Sequence, residues 1–334
     1  MTSYHPFKPT RWVPTRLVSA IAAATVAACG VVAAASAQAA SGATPPDASA
    51  NYTFRTLDNS ADLTFNQLLG INEFGDIAGY FGSGATNHPN NGYTLSDDGD
   101  GSYQNENFPG SVQTQVTGLN NDGVTVGFWS NAMGTNGPDF GFYRYHGRFH
   151  TADYPTNNPA SPAVDQLLGV NDAGIAVGFY NDKSGNAHGY SYDISSHRYG
   201  RIRIPGASSV TATAINNWDD VAGFDTNSGG AVNGFLKLNN GKVITLSVAG
   251  ASMTQAFGVN DGDEVVGTYT IGTGSSALTY GFIWAPGFGF QTVNDPNGIG
   301  STTINGLNDH GRLVGFYTDT SGNTDGFLAT PQGF

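Results

Sequence analysis

Four sets of residues in this chain stand at spacings that chemistry can use. The stretch SDDGDGS at 96–102 sets Asp97, Asp98 and Asp100 in one glycine-rich loop, and carboxylates at alternate positions of such a loop are ligands for Ca2+. No glutamate follows at the spacing of an EF-hand, so a solvated hairpin turn is the competing reading. Gln67, Gln115, Gln166 and Gln255, with Thr211 and Thr303 in the equivalent places, form a second set that is polar and uncharged. On strands lining a central channel these side chains would hold water or a small ligand, or satisfy buried hydrogen bonds. Trp218 stands at a loop tip, where an exposed ring stacks on a sugar or a protein partner, or simply packs locally. Glu106, Asp139, Asp165 and Glu264 each occur in a single repeat. Two of them within about 5–10 Å of each other in one cleft would make a glycosidase pair. The histidines form no H-E-x-x-H or H-x-H motif, and no G-x-S-x-G elbow is present, which excludes those metal and nucleophile arrangements.

The elements that position these residues are announced by repetition. The phrases GINEFGDIAGYF (70–81), GLNNDGVTVGFW (118–129), GVNDAGIAVGFY (169–180), AINNWDDVAGFD (214–225), GVNDGDEVVGTY (258–269) and GLNDHGRLVGFY (306–317) recur along the chain. Their asparagines, Asn72, Asn120, Asn171, Asn216, Asn260 and Asn308, lie 44 to 51 residues apart. A phosphate loop is needed once per domain and opens a helix, so six copies without a helical pattern are turns between strands. The asparagine starts the turn through its own backbone. The position three residues on, Gly75, Gly123, Gly174, Asp219, Asp263 or Gly311, requires positive φ. The later glycine (79, 127, 178, 223, 267, 315) is shared by all six copies and marks a close backbone or ring.

A Gly-aromatic pair follows each phrase, at Gly92-Tyr93, Gly141-Phe142, Gly189-Tyr190, Gly234-Phe235, Gly281-Phe282 and Gly326-Phe327. Each repeat therefore parses as four strands. In the third copy they are AVDQLLGV, IAVGFY, HGYSYDI and YGRIRIP. Four-stranded repeats of 40–50 residues predict an all-β fold, a six-bladed β-propeller of antiparallel blades. The strand YTFRTLD at 52–58 is of the fourth type and is expected to close the ring by completing the last blade, since an open stack would leave it unpaired. An open or seven-unit array is the alternative.

The repeated phrase, with His188-Gly189-Tyr190 after its third copy, resembles the bacterial extracellular HAF repeat family over about residues 52–330. RIPGA (203–207) and SVAGA (247–251) are similar to that family's Pro-Gly-Ala segment. All six copies carry glycine where the family name has alanine, and five lack the histidine. The resemblance implies an exported repeat protein and no catalytic activity.

The amino terminus is different material. Lys8, Arg11 and Arg16 precede the run LVSAIAAATVAAC, and Ala37-Gln38-Ala39 is a small-residue cleavage site. This order reads as a secretory signal over 1–39, followed by a flexible linker over 40–51 and the repeat domain over 52–334. Cys29 lies in VAACG, which resembles a lipoprotein box. The exported protein is thus secreted or periplasmic, or a surface lipoprotein held through Cys29. Cleavage after Ala39 leaves no cysteine, which removes disulfides and thiolate chemistry. The remaining ten basic residues face 26 acids, a net charge of −16. Nucleic acid and anionic membrane are excluded as partners by that balance.

The sequence therefore predicts an exported, monomeric, non-enzymatic binding or surface-interaction module for a glycan or a protein. It carries no cofactor unless Ca2+ sits at Asp97, Asp98 and Asp100, and its mature domain does not insert into a membrane. A carbohydrate-active hydrolase or lyase on the same scaffold is the alternative. The intact mass of the exported protein is expected to match a chain beginning at Ala40, and an N-terminal lipid on Cys29 would contradict this.

Overall fold

The computed structural model describes residues 44–96, 102–134 and 137–333. Among these residues every strand alternates with a turn, and helix is confined to two 3-10 turns, Ser49–Asn51 and Gly274–Ser276. β1 (Tyr52–Thr56) comes first. β2 (Asn66–Ile71), β3 (Ile77–Phe81), β4 (Asn91–Leu95) and β5 (Tyr103–Asn105) form sheet 1. Sheet 2 holds β6 (Gln113–Leu119), β7 (Thr125–Ser130), β8 (Phe140–Tyr145) and β9 (Arg148–Thr151). Sheet 3 holds β10 (Asp165–Val170), β11 (Ile175–Asn181), β12 (Ala187–Asp193) and β13 (Arg198–Arg201). The next eight are β14 (Ala207–Ile215), β15 (Val221–Asn227), β16 (Val232–Lys237), β17 (Val243–Leu246), β18 (Met253–Val259), β19 (Val265–Ile271), β20 (Leu278–Ala285) and β21 (Gly289–Thr292). They divide into sheets 4 and 5, linked by one parallel residue pair, Val232 with Met253. Phe65 with Thr324, Asp139 with Val164 and Thr279 with Ser301 make the same link at other boundaries. Sheet 6 runs β22 (Thr303–Leu307), β23 (Leu313–Thr318), β24 (Thr324–Pro331) and then β1.

The four strands expected in each repeat are thus present, within a few residues of their sequence bounds. The pairing expected for residues 52–58 is also present. β1 lies antiparallel to β24, from Tyr52 opposite Pro331 to Thr56 opposite Phe327. The linker differs from expectation. Ala48 donates its N–H to Thr292 O, Thr292 donates to Pro46 O, and Asn294 donates to Ser49 Oγ. From residue 46 the segment is bonded to β21 instead of hanging free, and Ala48 is buried.

Two glycine positions in each repeat have a packing cause. The first strand of every repeat carries a register shift, as at Leu68/Gly70 and Leu167/Gly169. The bulge turns a carbonyl toward the shared glycine of the next strand. A Cβ at Gly79, Gly127, Gly178, Gly223, Gly267 or Gly315 would lie 1.9–2.4 Å from the carbonyl oxygen of residue 67, 115, 166, 211, 255 or 303. The close neighbour expected from sequence is therefore the partner backbone. Rings from the third strand also crowd Gly127, Gly223 and Gly315.

The second position is the glycine of the Gly-aromatic pair. Gly92 meets Val116, Gly141 meets Leu167, Gly189 meets Val210, Gly234 meets Ala256, Gly281 meets Ile304 and Gly326 meets Leu68. Each third strand thus receives the first strand of the following repeat, and the sixth receives the first. The aromatic of each pair, Tyr93, Phe142, Tyr190, Phe235, Phe282 or Phe327, is at most 1% exposed. Full burial of such a ring contributes roughly 1.5–3 kcal/mol. Gly178→Ala is expected to destabilise the domain by about 1–3 kcal/mol through overpacking, read as a lower urea midpoint at unchanged slope. A midpoint equal to the parent's would show that the bulge can yield.

Candidate functional site

The six Asn-containing turns come together at one end of the first strands. Each asparagine begins as the sequence suggested, by bonding its own loop. Asn72 Oδ1 accepts from Asp76 N–H, Asn171 Oδ1 from Ile175 N–H and Asn216 Oδ1 from Asp220 N–H. The positive φ expected three residues on is found in all six copies, from 59° at Asp263 to 89° at Gly75. The amide nitrogen does something the sequence did not suggest. Asn72 Nδ2 donates to Asn120 O, Asn120 to Asn171 O, Asn171 to Asn216 O, Asn216 to Asn260 O, Asn260 to Asn308 O, and Asn308 to Asn72 O. The six side chains are at most 6% exposed.

A second circle runs one residue further on with the opposite polarity. Backbone N–H groups of Glu73, Asn121, Asp172, Asn217, Asp261 and Asp309 each donate to the side-chain oxygen of the next member, at 2.8–3.0 Å, and Asp309 donates to Glu73. Inside the two circles lies a pit of about 80 Å3. Its wall is Ile71, Leu119, Val170, Ile215, Val259 and Leu307 below the asparagines. Three carboxylates in its lining, Glu73, Asp172 and Asp261, make it a place for positive and not negative charge. Glu73 is held above the usual carboxylate range, first by burial and further by the Asp309 charge. Pockets that enclose small ligands are typically about 300–1,000 Å3, so this pit admits a few waters or a projecting side chain and not a sugar ring.

Outside the circles are the loop tips, and here the repeats diverge. Phe74, Asp122, Ala173, Trp218, Gly262 and His310 occupy equivalent tip positions and all are exposed. Trp218 is 64% exposed and Phe74 is 73% exposed. They stand three steps apart whichever way the circle is followed, on opposite sides of the pit. The indole is aimed by a hydrogen bond from Trp218 Nε1 to Asp261 O.

The other sequence candidates are dispersed. Gln67, Gln115, Gln166 and Gln255 lie on the first strands away from the pit and are 1–6% exposed. Gln67 Oε1 accepts from the Tyr80 hydroxyl, Gln115 Nε2 donates to Asn90 Oδ1 and Gln166 Nε2 donates to Asp139 Oδ2. The second atom of each of these three amides is unpaired within the protein, so they face buried polar space and not the surface. Asp97, Asp98 and Asp100 lie outside the described residues. Among the described residues no three His, Cys, Asp or Glu side chains are grouped to hold a metal ion, and no helix is long and apolar enough to cross a membrane.

The single-copy acids do not share a cleft. Glu106 is buried against Arg144 and Thr125, and Glu264 accepts from Asn260 Nδ2. Asp139 and Asp165 are neighbours, joined by Asp165 N–H to Asp139 O. Asp165 is 6% exposed. Its two oxygens are taken by the Tyr190 hydroxyl and the Tyr154 N–H. Burial pushes the Asp165 carboxyl up to about 7, against the lowering effect of those two bonds. Burial likewise lifts Asp139 to about 6. With no oxygen of Asp165 free, the pair is a structural contact between sheets 2 and 3.

Neither a family model nor a curated protein matches this chain. Solved structures do. A protein assigned as TolB from Agrobacterium tumefaciens aligns with a TM-score of 0.52 at 14% identity, over 80% of this chain and 91% of that one. TolB from Acinetobacter baumannii aligns at 0.48 and 13% identity over 77% of this chain, which spans only 64% of that one. The Aleuria aurantia lectin, described as a six-bladed β-propeller, aligns at 0.46 and 11% identity over 84% of this chain and 99% of the lectin. At these identities the first likeness concerns the fold alone, and the two below 0.5 carry no argument.

The raised carboxyls make stability depend on pH in a defined direction. A carboxyl whose folded pKa exceeds its unfolded value adds stability below the unfolded pKa and loses it as pH rises through the folded one. Stability is therefore expected to fall between pH 4 and pH 7, and Asp165→Asn should flatten that slope by on the order of 2–4 kcal/mol across the window. Urea midpoints at several pH values measure it. An unchanged slope in the variant would show that Asp165 is ionised without cost.

Proposed function

We propose that the six sheets form a closed six-bladed β-propeller that acts as an exported, non-enzymatic binding module. The contacts that support closure run from sheet 6 back to sheet 1: Asn308 to Asn72, Asp309 to Glu73, Gly326 against Leu68, and β1 within the last sheet. The observation that carries the functional reading is a division of labour within each turn. The asparagine and the residue after it are consumed by bonds to the neighbouring repeat, which leaves no polar pair free for proton transfer. The tip belongs to neither circle, is exposed and differs in every repeat, with Trp218 and His310 alone reaching a neighbouring repeat through their side chains.

Phe74 and Trp218 are the anchors of this binding face. Exposed aromatic side chains with few rotatable bonds contribute most to a contact when a sugar face or apolar partner covers them. The export reading rests on the basic, apolar and small segments of residues 1–39, and the HAF-repeat kinship on GVNDAGIAVGFY with His188-Gly189-Tyr190. The mature protein on an oligosaccharide array is expected to bind without releasing reducing ends. Trp218→Ala and Phe74→Ala should each weaken binding about tenfold with an unchanged melting temperature, because both rings are exposed. Turnover of any oligosaccharide, or affinity indifferent to both substitutions, would overturn this reading.

A further inference from the structure

The repeats depart from equivalence most strongly at the boundary of sheets 2 and 3. β10 packs there against β6, β7 and β8. Six of the chain's 15 tyrosines, Tyr143, Tyr154, Tyr180, Tyr190, Tyr192 and Tyr199, are gathered in one cluster at this seam. Tyr154 stacks on Tyr180 at 4.6 Å and meets Tyr199 edge-on at 5.4 Å. The cluster is tied across the seam by the Tyr199 hydroxyl donating to Asp153 O and by Arg201 Nε donating to the Tyr154 hydroxyl. Tyr154 and Tyr199 remain partly exposed at its outer margin.

The positive charge of the domain is concentrated at the same margin. Of the ten basic residues beyond the signal, Arg148, Arg198, Arg201 and Arg203 lie on or just after the outermost strands of sheets 2 and 3, and all four are exposed. Of the corresponding strands, β5, β17 and β21 carry no Lys or Arg and β1 carries one, Arg55. Among the described residues none of the four arginines is ion-paired, whereas Arg144 is paired with Glu106. The nearby carboxylates are engaged internally, Asp153 by Gly141 N–H and Asp193 by the Ser195 and Ser196 hydroxyls. Side chains alternate along a strand, so Arg148 shares a face with His150. That ring stacks on Tyr143 at 4.8 Å, which puts this face toward sheet 3. Arg201 shares its face with Tyr199.

We propose that this seam is a docking surface for an anionic polysaccharide, laid along the outer strands of sheets 2 and 3. Guanidinium groups bind carboxylate or sulfate through paired N–H donors, and the partly exposed Tyr154 and Tyr199 add apolar surface beside them. Arg198, three residues from Arg201, lies on the other face of its strand, so Arg148 and Arg201 are the charges that face the seam. Elsewhere the surface is acidic and repels such a ligand, which directs it to this margin. The seam is separate from the loop tips, so each reading stands or falls without the other.

The test is titration of the mature protein with polygalacturonate, dextran sulfate and neutral dextran at two salt concentrations. Polygalacturonate or dextran sulfate should bind, more weakly at high salt, and neutral dextran should not; the stronger of the two anionic polymers identifies carboxylate or sulfate as the group read. The double variant Arg148→Ala, Arg201→Ala should lose at least tenfold in affinity. Lys237→Ala with Lys242→Ala, which removes the same charge elsewhere, should change it less than twofold. No binding of either anionic polymer, equal binding of neutral dextran, or equal losses in the arginine and lysine pairs would overturn the proposal. Matching melting temperatures confirm that the variants are folded.

Discussion

Everything in this domain leans on the reach of one amide. In each repeat the loop asparagine spends its oxygen on its own turn and its nitrogen on the carbonyl of the next. Such a bond is worth only about 1 kcal/mol net, but leaving either partner unpaired in a buried position costs more. Because each turn is held by two neighbours, the six turns form a cooperative set. The Glu73-to-Asp309 circle reinforces it with donors and acceptors exchanged. Polar side chains that look like a catalytic or sugar-binding inventory in the sequence are therefore the cement between sheets.

The same constraint explains where variation is tolerated. A residue that bonds to the next repeat must keep its length and its functional group. A residue at the tip, one position beyond, is exposed in every repeat and belongs to neither circle. Trp218 and Phe74 stand there, while the equivalent places hold Asp122, Ala173, Gly262 and His310. Function in such an architecture is expected at tips and outer strands, where a change does not break the cement. The arginines of sheets 2 and 3 follow this rule as well.

The carboxylates of the interior show how sheet contacts bend ordinary chemistry. Asp165 has the burial and the raised pKa of a general acid. Its oxygens are nevertheless held by Tyr190 and Tyr154, and it faces no cleft. A perturbed carboxyl is a sign of burial first, and becomes a sign of catalysis only when one of its oxygens is open to a substrate.

Much of the fold was legible in the chain. The recurrence of Asn and Gly marked the turns, the Gly-aromatic pair marked the third strand, and the leftover strand at 52–58 pointed to its place beside β24. These are local rules of turn geometry and alternation, and they act through neighbours in sequence. What the chain alone did not disclose were contacts between repeats and sheets: the amide of Asn171 on the carbonyl of Asn216, 45 residues away, and Asp139 beside Asp165. The glutamine set was readable as satisfying buried hydrogen bonds, but its partners Tyr80, Asn90 and Asp139 were not, since polarity does not reveal which neighbour a side chain meets. Only packing decided those matters, because a hydrogen bond between repeats depends on the angle between sheets, which no single repeat encodes.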